Sequence, residues 1–312
     1  MAYFTAKLLR SAGVLLASTF MVFALMFGNG PGIARAVLGL KATDADVTKK
    51  VAQLGLDRPL LEQYWTWLTD ALRGDLGRSY FTGQTVTSVL AVRAPVTLGI
   101  TAITIILTAA IAVFLGVAAA TKGGWIDRVV QFGSVLGTAI PAFIVAIALA
   151  FLFAIALRWL PATGYVPPKN GVGAWAASIA LPCLALLIGS VASAAQQFRA
   201  ATLETLSKDY VRTLRARGVP ERQLIFRNVL RNSAGPGLTV LSLQVFGILG
   251  GAVFIEQVFA LPGIGQLSNK SVQQGDVPMV MGAVVVTILV VLIVNFLGDL
   301  ATAFLNPKAR AK

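Results

Sequence analysis

The chain has 312 residues, of which 56% are hydrophobic and only 12% charged, with a mean hydropathy of +0.78. Water-soluble domains carry roughly 25% charged residues, so this composition excludes a soluble globular protein. A net charge of +13 falls between the apolar runs, and the absence of histidine removes the commonest metal ligand and general base.

Six runs approach the roughly 20 residues that a helix needs to cross hydrocarbon. They are 8–27, 96–120, 129–157, 176–195, 237–259 and 279–304. The first has the basic start of a signal peptide at Lys7 and Arg10, but it is longer than a signal core and five more spans follow. Residues 28–95 then form a long loop. Leu61, Trp65, Leu68 and Leu72 recur at helical spacing, with Pro59 suited to the first turn and Gly74 to the stop. A shorter helix is predicted from Asp44 or Asp46 to Leu54, ended by Gly55. In the spans, Gly133 with Gly137 and Gly247 with Gly251 have the spacing that lets helices approach closely. Pro141 breaks the third span near its middle, and Cys183, the only cysteine, has no internal disulfide partner. Gln244, Glu256 and Asp299 are polar groups in or near spans. They read first as packing, snorkelling or structural pairing, and Pro141, Gln244 and Glu256 are also candidate pathway residues. The organisation expected is 1–95, first span plus folded loop; 96–305, a five-span core containing a loop at 197–236; and a tail at 306–312.

Basic residues set the orientation. With the N-terminus inside, Lys7 and Arg10, the link with Lys122 and Arg128, the 197–236 loop and the tail with Lys308, Arg310 and Lys312 all face the cytoplasm. The loop holds eight basic residues between Arg199 and Arg231 against Glu204, Asp209 and Glu221. Glu204 to Arg217 is predicted helical, Gly218 stops it in the left-handed conformation, and Pro220 opens a second helix running to about Asn232 before Gly235-Pro236. This helix, tight turn, helix has the outline of a DNA-binding motif, but it is tethered between two spans, so nucleic acid is not expected. A basic face that only fixes topology is the plainer reading.

Residue by residue, the loop resembles the "EAA" cytoplasmic loop of ATP-binding-cassette (ABC) importer permeases of the dipeptide, oligopeptide and nickel group. Glu204, Asp209-Tyr210-Val211-Arg212-Thr213, Arg215-Ala216-Arg217-Gly218, Val229-Leu230-Arg231-Asn232 and Pro236 carry the resemblance. Gly74-Asp75-Leu76-Gly77-Arg78-Ser79, Arg93-Ala94-Pro95-Val96-Thr97-Leu98, Asp127-Arg128, Ile140-Pro141-Ala142-Phe143, Leu160-Pro161-Ala162-Thr163-Gly164, the Glu256–Gly265 stretch and Asp276-Val277-Pro278 follow in that group's order. Leu214 departs from a usual alanine, Gly30–Gly32 from a Pro-Gly-Asp-Pro-like turn, and Asn306-Pro307-Lys308 from Asp-Pro-Arg.

The resemblance implies an all-α integral membrane protein of the bacterial cytoplasmic membrane. It would have six transmembrane helices in the type I importer arrangement, both termini cytoplasmic, and a folded extracytoplasmic loop after the first. It implies as partners a homologous second permease forming a heterodimer, two cytoplasmic ATPase subunits (or a fused one) and an extracytoplasmic substrate-binding protein. Glu204, Asp209, Tyr210, Arg212, Arg215, Arg217, Gly218 and Glu221 would couple to the ATPases, which use ATP and Mg²⁺; this chain is expected to bind no cofactor or metal and to be no enzyme. The nearest approach to a phosphate-binding G-x-x-x-x-G-K-[ST] run, ending Asn269-Lys270-Ser271, lacks both glycines. Short peptides are the first expectation for cargo, with nickel chelates or other small solutes as alternatives. An ion-coupled secondary transporter would need more ionisable groups at mid-membrane than the sequence offers.

Overall fold

The computed structural model describes residues 2–28, 30–39 and 41–305, without the side chains of residues 2–8, 234, 236, 299 and 301–305. Asp299's side chain and the basic tail therefore lie outside the described residues. In chain order the helices are α1 (Ala2–Met26), α2 (Gly30–Leu38), α3 (Asp44–Leu54), α4 (Leu60–Leu72), α5 (Val86–Lys122), α6 (Gly124–Ala139) and α7 (Ala142–Leu149), which runs on as a π-helix over Ala150–Ala156. After a 3₁₀ turn at Pro168–Asn170 come α8 (Val172–Leu206), α9 (Asp209–Ala216), α10 (Glu221–Gln223) with a π-helical Leu224–Val229, α11 (Leu230–Val258), α12 (Ile264–Gln274) and α13 (Val277–Leu305).

Among the described residues five helices are long and apolar enough to cross a membrane, or six where α6 and α7 with its π-helical end, bent by 97°, count as one span. The break falls where the sequence places it. Pro141 has no N–H to donate and forces Ile140 into an extended conformation, φ −93° and ψ 120°. The predicted link between the second and third spans shrinks to a tight turn. Gly123 and Gly124 both have positive φ, 60° and 59°, and Arg128 already lies in α6.

The chain divides into two compact units. The first comprises residues 1–97 and 262–292. Its α3 ends as the sequence suggests, at Gly55 in the left-handed conformation, and starts on a reciprocal Thr43–Asp46 capping box. Thr43 donates to the Asp46 carboxyl and holds it below the usual carboxylate range. Helix α4 forms as predicted but turns differently. Leu61, Trp65 and Leu72 are 68%, 65% and 80% exposed, while Tyr64 is buried. The Tyr64 ring packs edge-on against Phe20 and Phe23, and its hydroxyl reaches Thr19 Oγ1 (3.0 Å) and the Leu16 carbonyl (3.2 Å) on α1. A pure hydropathy pattern misses this, because tyrosine buries a large ring and a hydrogen bond together. Helices α2 and α12 were not expected from the sequence.

Two pairs of distant motifs meet in this unit. Ser79 Oγ donates to Asp276 Oδ2 at 2.5 Å and accepts from the Phe81 and Thr82 amides, while the Tyr80 amide donates to Asp276 Oδ1. Gly77, at φ +88°, leaves room beside Pro278. Burial, and then the Asp276 charge, push the Tyr80 phenol up to about 12, so it stays protonated. The second pair is Thr97, whose Oγ1 accepts from the Ile264 amide at the start of α12 (2.8 Å), with Arg93 donating to Gln266 nearby.

The second unit comprises residues 98–261 and 293–312. Helix α8 is its hub, packed by α6, α7 and α11. Between apolar helices in lipid, small residues permit the close approach. Gly116 leaves no space for a Cβ against Phe198, Ala195 and Arg199, and Gly137 none against Ala192. The predicted glycine pairs are only half used: Gly137 and Gly251 make close approaches, whereas Gly133 and Gly247 do not.

Asp276→Ala strips a partner from the buried Ser79 hydroxyl and the Tyr80 amide. An unmade buried hydrogen bond costs about 1–3 kcal/mol. We expect this variant to lower the thermal unfolding midpoint of the detergent-purified protein, and Ser79→Ala to do so less; unchanged midpoints exclude the Ser79–Asp276 clasp as a stabilising contact.

Candidate functional site

The arginine-rich loop joins the two helices that form the centre of the second unit, α8 and α11. The single helix expected from Glu204 to Arg217 is two. Ser207 turns its hydroxyl back onto the Glu204 carbonyl (2.8 Å), Lys208 is extended, and α9 restarts at Asp209. Glu204 therefore belongs to the end of α8, 3.5 Å from Lys208 Nζ. Asp209 stands in the first turn of α9, where the helix dipole favours an anion, 4.0 Å from Arg212.

Helix α9 ends at a left-handed glycine. The Gly218 amide donates to Arg215 O (2.9 Å) and the Val219 amide to Leu214 O (3.1 Å), with Gly218 at φ +77°. This is the Schellman pattern, and its usual apolar contact is present in Leu214 and Val219. Both pack on a small core of Val211, Leu224 and Val229, which are fully buried. Leu214, the departure noted in the sequence, thus packs into the loop's own core.

Across the turn, Arg215 donates both Nε (3.2 Å) and Nη2 (2.6 Å) to Glu221, and this pairing holds the Glu221 carboxyl below the usual glutamate range. Tyr210 accepts from Asn232 Nδ2 at 3.0 Å, tying α9 to α11. The second helix does not stop at Asn232. The chain stays helical from Glu221 through Gly235 and Pro236 to Val258, with π-helical geometry at Leu224–Val229. Asp209, Arg212 and Arg217 are exposed, as are Arg222, Phe226 and Arg227 beside Pro220. Of the eight predicted site residues, seven lie in this hairpin and Glu204 precedes it. At its α8 side, Arg199 grips Asp127 of α6 through both carboxylate oxygens. That pair was missed, although Asp127 belonged to a motif already noted.

The predicted pathway residues are not one cluster. Pro141 is exposed at the start of α7, whose Phe143 ring faces Phe254 of α11 at 6.2 Å. Gln244 and Glu256 both lie on α11, but twelve residues apart, about 18 Å along a helix. Gln244 is half-buried and Glu256 is 1% exposed. Residues 269–271 sit inside α12, where their amides serve the helix and cannot wrap a phosphate. Among the described residues no three His, Cys, Asp or Glu side chains are grouped to hold a metal ion.

Five or six apolar spans, with a self-packed basic hairpin between α8 and α11, define a polytopic membrane protein. The chain belongs to the family of binding-protein-dependent transport system inner membrane components, whose model matches residues 112–311; the family's N-terminal model matches residues 1–101. It is 34% identical to a Sinorhizobium fredii protein named "Probable peptide ABC transporter permease protein", with 99% of each chain covered. It is 35% identical to the glutathione transport system permease protein of Pectobacterium atrosepticum, again over 99% of each. The chain is thus a multi-pass inner-membrane permease of an ABC importer, distinct from the ATPase, and such an importer works with ATPase and substrate-binding protein partners.

Glu221 has its carboxyl lowered by Arg215, so the stabilisation from the pair is complete above the ordinary glutamate value near 4.5 and is lost as pH falls through the lowered value. In a carboxyl-carbon NMR titration Glu221 should have its midpoint below that value, and Arg215→Gln should return it to the ordinary range. An ordinary midpoint in the unsubstituted protein contradicts the pairing.

Proposed function

We propose that this chain is the permease for short peptides, and that its hairpin from Asp209 to Glu221 is the element that docks on a cytoplasmic ATPase. The observation that carries the reading is the hairpin's build. It has its own core, a glycine turn, a Tyr210–Asn232 tie to α11, and exposed Asp209, Arg212 and Arg217 facing away from that core. Such a surface offers charge to acidic groups on a partner, while Glu204 and Glu221 brace the flanks through Lys208 and Arg215. The orientation that follows puts both termini and this hairpin in the cytoplasm and α2–α4 outside, where they cap the mouth and meet the binding protein.

Peptide cargo is supported by the names of the full-length relatives, one for peptides and one for glutathione, itself a tripeptide. The working complex pairs this chain with a second, homologous permease. ATP and Mg²⁺ act in the ATPase subunits, and this chain supplies the path, lined in part by the region around Pro141, Gln244 and Glu256.

The test is uptake by the complete transporter in reconstituted vesicles: ATP-dependent, vanadate-sensitive accumulation of di- and tripeptides. Uptake by this chain without ATPases would make it a secondary carrier. In the same assay Gly218→Val probes coupling. A Cβ at Gly218 meets no atom within 4 Å, so the change acts through the backbone, where a left-handed residue with a side chain costs about 1–2 kcal/mol. Uptake should fall at least tenfold while the protein still inserts in the membrane. Wild-type uptake by an assembled Gly218→Val complex reduces the hairpin to a topology signal.

A further inference from the structure

Helix α5 carries Thr97, Thr101, Thr104 and Thr108, spaced four, three and four residues apart, so all fall on one face. All four are buried. Thr97 has its partner in the Ile264 amide. The hydroxyls of Thr101 and Thr108 have none, and that of Thr104 has only the Cys183 sulfur. They do not even use the carbonyl one turn back, as Thr121 does further along the helix, 2.8 Å from Val117 O. The Cys183 sulfur is a weak acceptor for Thr104, and the thiol turns its own donor toward the Ile100 carbonyl at 4.0 Å.

Buried hydroxyls without partners are costly, the more so where no water can reach them. The cost is not imposed by the packing of this face. The face continues as Ala112, Gly116 and Ala119, which close onto Phe198 and Ala195 with no polar side chain. Cys183, beside Thr104, directly follows Pro182, a proline inside α8. Proline leaves the carbonyl one turn earlier without its helical donor and is the usual point at which a helix bends.

We propose that Thr101, Thr104 and Thr108 are a cryptic strip of the translocation path, exposed when α5 and α8 part at Pro182, where the hydroxyls bond water and the amide groups of a passing peptide. This rests on the reading of the chain as a peptide importer. A threonine hydroxyl donates one bond and accepts two, so the strip matches peptide N–H and C=O groups without regard to side chains. From Thr101 to Thr108 it runs about 10 Å at 1.5 Å per residue. Three extended residues cover about the same length.

The test uses the complete reconstituted transporter with single cysteines, Thr101→Cys, Thr104→Cys and Thr108→Cys, in a Cys183→Ala background, and a membrane-impermeant thiol reagent. Labelling of all three should differ at least tenfold between the nucleotide-free and vanadate-trapped states, and Ala112→Cys should stay unlabelled in both. Labelling that is the same in both states of a complex that transports peptide overturns the strip. A second variant carries Thr101→Val, Thr104→Val and Thr108→Val together, which keeps shape and removes the three hydroxyls. It should raise the melting temperature of the nucleotide-free complex and cut peptide uptake at least tenfold; uptake at the unsubstituted rate overturns the proposal. If the unsubstituted complex moves no peptide but state-dependent labelling persists, the peptide reading fails and the strip stands as a path for another solute.

Discussion

The constraint on which this structure depends is the absence of water in hydrocarbon. Every backbone N–H and C=O in a span must be satisfied within the chain, which leaves helices as the solution for a sequence with no alternating strand pattern. The departures from regular helix are correspondingly few and local. Pro141 breaks the third span by 97°, and α7 then ends in a π-helical stretch whose Phe153 carbonyl receives the Trp159 amide at 2.8 Å. Pro95, Pro182 and Pro236 stay inside helices. Prolines in membrane helices are tolerated because neighbouring elements re-satisfy the freed carbonyl.

The same constraint explains why motifs far apart in the sequence meet. Ser79 and Asp276 are 197 residues apart, yet one buried carboxylate holds the Gly74–Ser79 turn by a hydroxyl and an amide. Asp276 also follows Gly275, the left-handed stop of α12, and its own carbonyl receives the Val280 amide in the first turn of α13. One residue thus fixes a turn, a helix end and a helix start. Thr97 does a similar job for the start of α12. In the sequence these motifs carry the family resemblance; in the structure they are clasps within a single unit.

What was legible in the sequence followed local chemistry. Gly55 and Gly218 stop helices because only a residue without a Cβ takes positive φ freely. Pro141 breaks a helix for reasons contained in the dipeptide Ile140-Pro141. What was illegible depended on choices between neighbours. Ala260 takes a left-handed turn at φ 50° that would ordinarily call for glycine, held by the Leu261 amide on Glu256 O. Tyr64, and not Leu61 or Trp65, faces α1 because its hydroxyl finds Thr19. The break at Ser207-Lys208 is decided by a side chain returning to its own backbone, which propensity does not register. Leu214, where the resembled family usually has alanine, packs against the core of the hairpin.

Under the proposed docking, the hairpin's position gives a soluble partner a mechanical hold on the membrane part. It joins α8, on which α6, α7 and α11 all pack, to α11 itself. The helix leaving the glycine turn runs unbroken to Val258, so displacement of the turn acts along one lever. The Tyr210–Asn232 bond and the Val211, Leu224 and Val229 core hold α9 against that lever. The Arg199–Asp127 pair holds the other strut, α8, to the first half of the bent span. A pair buried to this degree resists separation better than a fully solvated one, because water and salt screen it less. Force on α9 would then reach α6 through α8 and the region of Pro141 through α11, two routes that converge on the one span already broken in its middle.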